Sequence, residues 1–285
     1  MPHSALVSTD WLSEHLAAPD LVVVDGSWYL PAQNRDPEAE YLAAHIPGAV
    51  RFDIERIKDP TSPLPHMMPR PEAFAAAVSQ LGIGDGKRIV VYDGMGLFAA
   101  PRVWWMLRAM GAGDVAILDG GLPQWTAEGR PVEDGPVYRA PRTFTARFDH
   151  GAVAKMGDVR RALETGAVQV VDARAADRFA GAAPEPRTGL VSGHMPGALN
   201  VPSSTLIDNG RLRSREEIAA IFREAGVDLA GPILTTCGSG VSAAILTLGL
   251  HELGRQGLPL YDGSWTEWAS TPDAPIATGP ARPKG

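Results

Sequence analysis

The sequence predicts an α/β protein built from two tandem copies of one domain, each a parallel β-sheet flanked by helices, and three observations predict it. The chain has 285 residues, about twice the roughly 150 residues of an ordinary domain. It also repeats itself in order. Val23-Val24-Asp25 returns as Val170-Val171-Asp172, and His45-Ile46-Pro47-Gly48-Ala49 returns as His194-Met195-Pro196-Gly197-Ala198. Glu72, Ala75, Ala76 and Gly82 return as Glu216, Ala219, Ala220 and Gly226, and Asp119-Gly120 and Trp125 return as Asp262-Gly263 and Trp268. A unit of about 130 residues has the size of a domain rather than of a solenoid repeat. Within each copy, short β-branched runs alternate with longer helical patterns, which is the signature of βαβ units and a sheet covered on both faces.

In the first copy, placed at residues 5–137, Leu21–Val24, Arg88–Tyr92 and Val115–Leu118 are apolar runs too short for helices and read as buried strands. Pro71–Gln80 and Pro101–Met110 place apolar residues at helical spacing, and Pro71 suits a first helical position. Residues 138–154, with a proline, several arginines and weak periodicity, read as a linker. In the second copy, residues 155–280, the strands are Val168–Val171, Ile233–Thr236 and Leu258–Tyr261. The helices there are Arg215–Arg223, capped by Ser214, and Val241–Leu253.

The composition is 45% hydrophobic and 21% charged, with 31 Gly and 25 Pro spread without a low-complexity period, as in an ordinary globular protein. A net charge of −7 argues against nucleic acid or an anionic membrane as partner, because both demand a basic field. No apolar stretch approaches the ~18 residues of a membrane span. The opening MPHSALVSTDWL lacks a basic segment followed by an apolar one, so a cytoplasmic protein is expected. Cys237 is the one cysteine, which excludes an intrachain disulfide and a multi-cysteine zinc site.

A lone cysteine ordinarily packs as a small apolar residue. Cys237, however, follows the apolar run Ile233-Leu234-Thr235-Thr236 directly, and Gly238-Ser239-Gly240-Val241-Ser242 then leads into a helix. In parallel sheets, ligands gather at the carboxyl ends of strands. A short loop with two glycines lets successive N–H groups turn inward, and the helix that follows adds partial positive charge. Both favour a thiolate, the nucleophilic form of the residue. At the equivalent place the first copy reads Asp93-Gly94-Met95-Gly96. It keeps the loop and lacks the nucleophile, so the first copy is read as inactive and the second as catalytic.

The two units with His-x-Pro-Gly-Ala, the Cys237–Ser242 loop and the segment Tyr261-Asp262-Gly263-Ser264-Trp265-Thr266-Glu267-Trp268 resemble tandem-domain rhodanese-type sulfurtransferases over almost the whole chain. The neutral loop is similar to Cys-Gly-Ser-Gly-Val-Thr of the 3-mercaptopyruvate branch, with Ser242 in place of threonine. The thiosulfate branch carries basic residues there. The resemblance implies two rhodanese-like domains and transfer of sulfur from 3-mercaptopyruvate, through a Cys237 persulfide, to cyanide, a thiol or thioredoxin, with release of pyruvate. No cofactor is required, and a monomer is expected.

A ketoacid substrate needs a cationic, preferably bidentate partner. The resemblance assigns Arg178 and Arg187 to the substrate carboxylate, whereas Arg174, beside the strand-end Asp172, reads as structural. Gly238, Gly240, Val241 and Ser242 line the loop that holds anionic sulfur. The resemblance also implies a relay of Ser239, His45 and Asp36, although His194 occupies the place of His45 in the second copy, as a residue kept for folding would. Trp104, Trp105, Trp265 and Trp268 read as core aromatics. Three rivals stand beside this reading: a thiosulfate sulfurtransferase of the same fold, a non-catalytic persulfide carrier, and a cysteine phosphatase. The last needs arginine six positions after the cysteine, where Ala243 stands.

Overall fold

The computed structural model describes residues 4–281. They form two compact units, one comprising residues 4–60, 68–149 and 209–212, the other residues 61–67, 150–208 and 213–281. The first unit contains β1 (Leu6–Val7), α1 (Thr9–His15), β2 (Leu21–Asp25), α2 (Pro37–Ala43), β3 (Val50–Arg51) and α3 (Pro71–Gln80). It continues with β4 (Arg88–Tyr92), α4 (Ala100–Ala109), β5 (Val115–Leu118) and α5 (Gly121–Ala127). The second starts with β6 (Val153–Ala154), α6 (Met156–Thr165), β7 (Gln169–Asp172), α7 (Ala176–Phe179) and β8 (Leu199–Asn200). It continues with β9 (Ile207–Asp208), α8 (Arg215–Glu224), β11 (Ile233–Thr236), α9 (Ala243–Glu252), β12 (Leu260–Tyr261) and α10 (Ser264–Ser270), while β10 (Arg211–Leu212) lies in the stretch that clusters with the first unit.

Each unit has its own five-stranded parallel sheet, in the order β1-β5-β4-β2-β3 in the first and β6-β12-β11-β7-β8 in the second. The two orders are identical once the repeats are matched. The cores match as well. Leu21, Val23, Ile46, Val90, Leu118 and Trp125 are buried together in one unit. Val170, Met195, Leu234, Tyr261 and Trp268 are buried together in the other. In the second sheet β7 and β11 lie side by side, with Thr235 opposite Val171 and Thr236 opposite Asp172. The chain leaves β7 toward the β8 edge and leaves β11 toward β12. A crevice therefore opens between their carboxyl ends, at the topological switch point where parallel sheets bind ligands.

The strands expected around the repeats are present within one residue, except that the last one begins two residues late, at Leu260. Gly254 and Gly257, both at positive φ, hold the chain in turns just before it. The helix expected from Val241 begins at Ala243, because the loop uses residues 237–242 to turn around the cysteine. Short helices not legible from periodicity start at side-chain caps: Ser8 accepts from Trp11 N ahead of α1, and Asp36 caps α2. Residues 138–149 cluster with the first unit, while Val153–Ala154 form the edge strand β6. Among the described residues no helix is long and apolar enough to cross a membrane.

Candidate active site

Cys237 stands immediately after β11, buried to 1% exposure. Its Sγ accepts the Gly240 N–H at 3.1 Å, and Gly240 can point its amide back because it sits at φ +79°, a conformation glycine adopts without a steric penalty. The amides of Val241 and Ser242 turn the same corner and make no hydrogen bond among the described residues. Unpaired N–H groups at the start of a helix favour an anion beside them.

The first unit shows what such a corner holds. There Asp93 Oδ2 accepts from Phe98 N, Ala99 N and Ala100 N at 2.7, 2.8 and 2.8 Å, and Oδ1 accepts from Met95 N at 2.8 Å. Aligned on the first residues of α4 and α9, the three amides on Oδ2 correspond to Val241, Ser242 and Ala243. The first loop thus carries its own acceptor for these amides, whereas in the second the sulfur takes the Gly240 N–H among the described residues.

The second wall of the crevice comes from the segment after β7. Arg174 is fully buried and bound on every side. It donates to Asp172 Oδ2 at 2.6 Å, Glu185 Oε1 at 2.7 Å and Gly193 O at 2.8 Å, and it lies over the Trp265 ring at 4.2 Å. Burial works against its charge, but Asp172 and Glu185 outweigh that and hold its pKa above the usual arginine value. Arg174 therefore ties the loop together, as its place beside Asp172 implied. Glu185 accepts from Arg178 Nη2 as well, at 2.5 Å. Arg178 is one-fifth exposed, and its buried Nε has no hydrogen-bond partner among the described residues. A Cβ at Gly238 would stand 3.2 Å from Arg178 Nη2, so the missing side chain lets the guanidinium close on the cysteine loop. Ser239 is buried, and its hydroxyl makes no hydrogen bond among the described residues.

Arg187 Nη2 donates to His66 Nε2 at 3.4 Å. Because an arginine can only donate, Nε2 acts as the acceptor. His66 is 1% exposed and lies at φ +58°, a region where histidine is enriched among non-glycine residues. His45 is placed differently. It is fully buried, with Nδ1 2.8 Å from Tyr41 O, Nε2 3.3 Å from Glu133 Oε1, and its ring stacked on Tyr41. His194 in the second unit does the same work, with Nδ1 2.9 Å from Phe179 O and its ring stacked on Phe179. Asp36 Oδ1 accepts from Glu38 N and Ala39 N at 3.0 and 3.1 Å, capping α2.

A rhodanese-like domain pattern matches residues 8–128 and again residues 155–271. The chain belongs to the rhodanese family. It is 46% identical to the 3-mercaptopyruvate sulfurtransferase of Escherichia coli strain K12, over 95% of this chain and 96% of that protein. It is 45% identical to the 3-mercaptopyruvate sulfurtransferase of Homo sapiens, over 93% of this chain and 91% of that one. The crystal structure of SseA from Escherichia coli, a 3-mercaptopyruvate sulfotransferase of the rhodanese fold, superposes with a TM-score of 0.86 at 45% identity, covering 92% of this chain and 99% of that one.

Within this rhodanese site the structure brings together Cys237, its loop from Gly238 to Ser242, Ser239 and Arg178, and it pairs Arg187 with a histidine that the sequence reading passed over. One signal could have found His66. His45 recurs as His194 in the second copy, whereas His66 does not recur. The position 144 residues after His66 is Gly210.

Proposed function

We propose that the protein is a sulfurtransferase that takes sulfur from 3-mercaptopyruvate onto Cys237. The observation that carries this reading is the neutral amide corner around Cys237 Sγ, filled by a carboxylate in the non-catalytic copy. Arg178 and Arg187 receive the substrate carboxylate, His66 aims Arg187, and the Ser239 hydroxyl faces the carbonyl. The Cys237 thiolate attacks the substrate sulfur. An S–S bond forms, the C–S bond breaks, and the electron pair leaves with the pyruvate enolate, which takes up a proton to give pyruvate. The outer sulfur of the persulfide then occupies the corner as an anion stabilised by fixed amides, as an oxyanion hole stabilises oxygen. Cyanide or a small thiol attacks that outer sulfur and restores the thiolate, and a reduced thioredoxin is the protein acceptor that suits the same step. Ping-pong kinetics follow.

In this reading residues 155–280 form the catalytic domain and residues 5–137 the inactive copy, the enzyme works as a cytoplasmic monomer, and His45 and Asp36 keep the structural tasks their hydrogen bonds describe. The test is incubation with 3-mercaptopyruvate and cyanide, measuring pyruvate and thiocyanate, with mass spectrometry of Cys237 for one added sulfur. Activity retained in Cys237→Ser, or faster turnover with thiosulfate, overturns it.

A further inference from the structure

Ser264 is fully buried, and it is a serine at φ +52°, a backbone conformation that side-chain-bearing residues other than Asn, Asp and His seldom adopt. Its hydroxyl is used to capacity. It donates to Tyr261 O at 2.7 Å and accepts from Cys237 N at 3.3 Å and from Thr236 Oγ1 at 3.5 Å. A hydroxyl has one proton and two lone pairs, so all three are engaged. The next two residues hold the other side of the nucleophile: Trp265 N donates to Cys237 O at 2.8 Å, and Thr266 donates to Gly238 O through both its amide and its hydroxyl, at 3.0 and 2.6 Å. The first turn of α10 thus grips the peptide groups on both sides of Cys237.

The first copy again supplies the control. Gly121 occupies the place of Ser264, 143 residues earlier, at φ +54°. The backbone contact is kept, with Leu122 N donating to Asp93 O at 3.1 Å. The hydroxyl is not. The copy without a nucleophile uses the residue that fits this conformation freely, and the copy with one keeps a strained serine whose oxygen meets the nucleophile's amide. Strain of this kind persists where the surroundings hold it in place, and it concentrates at functional sites.

We propose that Ser264 is a positioning residue for sulfur transfer. Its hydroxyl fixes the Cys237 peptide, and with it the direction of Sγ toward the amide corner, and its left-handed backbone is maintained for that contact. The proposal rests on the sulfurtransferase reading above. Two variants separate positioning from folding. Ser264→Gly removes both the hydroxyl and the strain, whereas Ser264→Ala removes the hydroxyl and keeps the strain. Both are expected to lower kcat for pyruvate release from 3-mercaptopyruvate by about tenfold or more, since misplacing a reacting atom by even an ångström is costly, with KM unchanged. Their Tm values should move apart, with the Gly variant at or above wild type and the Ala variant below it. Wild-type kcat in Ser264→Gly overturns the proposal, as does a loss of activity that follows Tm across the two variants. A wild-type protein that yields neither pyruvate nor sulfurated Cys237 would instead fail the functional reading itself.

Discussion

After β4, a carboxylate occupies the turn and takes four backbone N–H groups. After β11, in a sheet of the same strand order, the turn holds a sulfur that, among the described residues, takes one N–H, from Gly240. The surroundings diverge in the same sense. Around Asp93, Gly94 N donates to Ser27 Oγ at 2.9 Å and Arg35 is engaged by Glu40 at 2.6 Å, so polar groups are closed on one another. Around Cys237, Arg178 is likewise engaged by Glu185, at 2.5 Å, but its buried Nε and the Ser239 hydroxyl make no hydrogen bond among the described residues. Duplication thus yields one turn closed on its own carboxylate and one whose amides are largely unclaimed; under the proposed function the second trades stability for anion binding, as active sites do.

The most severe way to break this comparison is to make the second turn like the first. Cys237→Asp should reduce pyruvate formation to background, because a carboxylate cannot accept sulfur as the thiolate does. It should also leave Tm at or above wild type, because the carboxylate gains the amides of Val241, Ser242 and Ala243. A marked fall in Tm, read by scanning calorimetry, would show that the two corners are not equivalent.

The reciprocal change, Asp93→Ala, strips the first turn of its anion. Four amides lose a charged acceptor at once, three of them from a single oxygen. With hydrogen bonds to charged groups contributing about 1.5–3 kcal/mol each and partial relief by water, the expected cost is about 3–5 kcal/mol, measured by urea unfolding. Cys237 chemistry is not directly altered by this change, so the comparison is sharpened if stability falls while the folded fraction remains active.

The histidines divide in the same manner. His66→Gln should lower kcat/KM for 3-mercaptopyruvate about tenfold by freeing Arg187, which corresponds to about 1.4 kcal/mol, with little change in Tm. His45→Gln should lower Tm and leave kcat/KM of the folded protein near wild type. The opposite outcome, activity lost with His45 and kept with His66, would return His45 to the chemistry.

How much of this was legible in the sequence depends on how far apart the cooperating residues lie. The Cys237 loop and the strand before it are contiguous, and the strand-end position of Cys237 could be read directly. The structural use of Arg174 was also legible, because its main partner Asp172 is two residues away. The pairing of Arg187 with His66 spans 121 residues and joins a proline-rich loop with no periodicity to another loop, so no local pattern announces it. His45, which the resemblance places in the relay, lies in a prominent motif. That motif appears in both copies for a physical reason visible only in three dimensions: each ring bonds a carbonyl and stacks on an aromatic residue, closing the turn before β3 or β8. The strain at Ser264 was equally hidden, since a serine in sequence carries no sign of its φ.

The smallest expected effect concerns the repeat-related helices α3 and α8. Helix α3 begins without a side-chain cap, its first residue Pro71 having no N–H to satisfy. Helix α8 uses a reciprocal box, with Ser214 Oγ accepting from Glu217 N at 3.3 Å and Glu217 Oε2 accepting from Ser214 N at 3.0 Å. Ser214→Ala should cost about 1 kcal/mol. The Ser214 hydroxyl first, its amide second and Arg213 after them hold the Glu217 carboxyl below the usual glutamate range. A carboxyl with a lowered folded-state pKa adds stability that is fully present above its unfolded pKa and disappears as pH falls through the lowered value. The gap between wild type and Ser214→Ala should therefore narrow as the medium is made acidic through the carboxylate range. A gap independent of pH would assign the cap to the serine alone, and no gap at all would make the two helix starts equivalent.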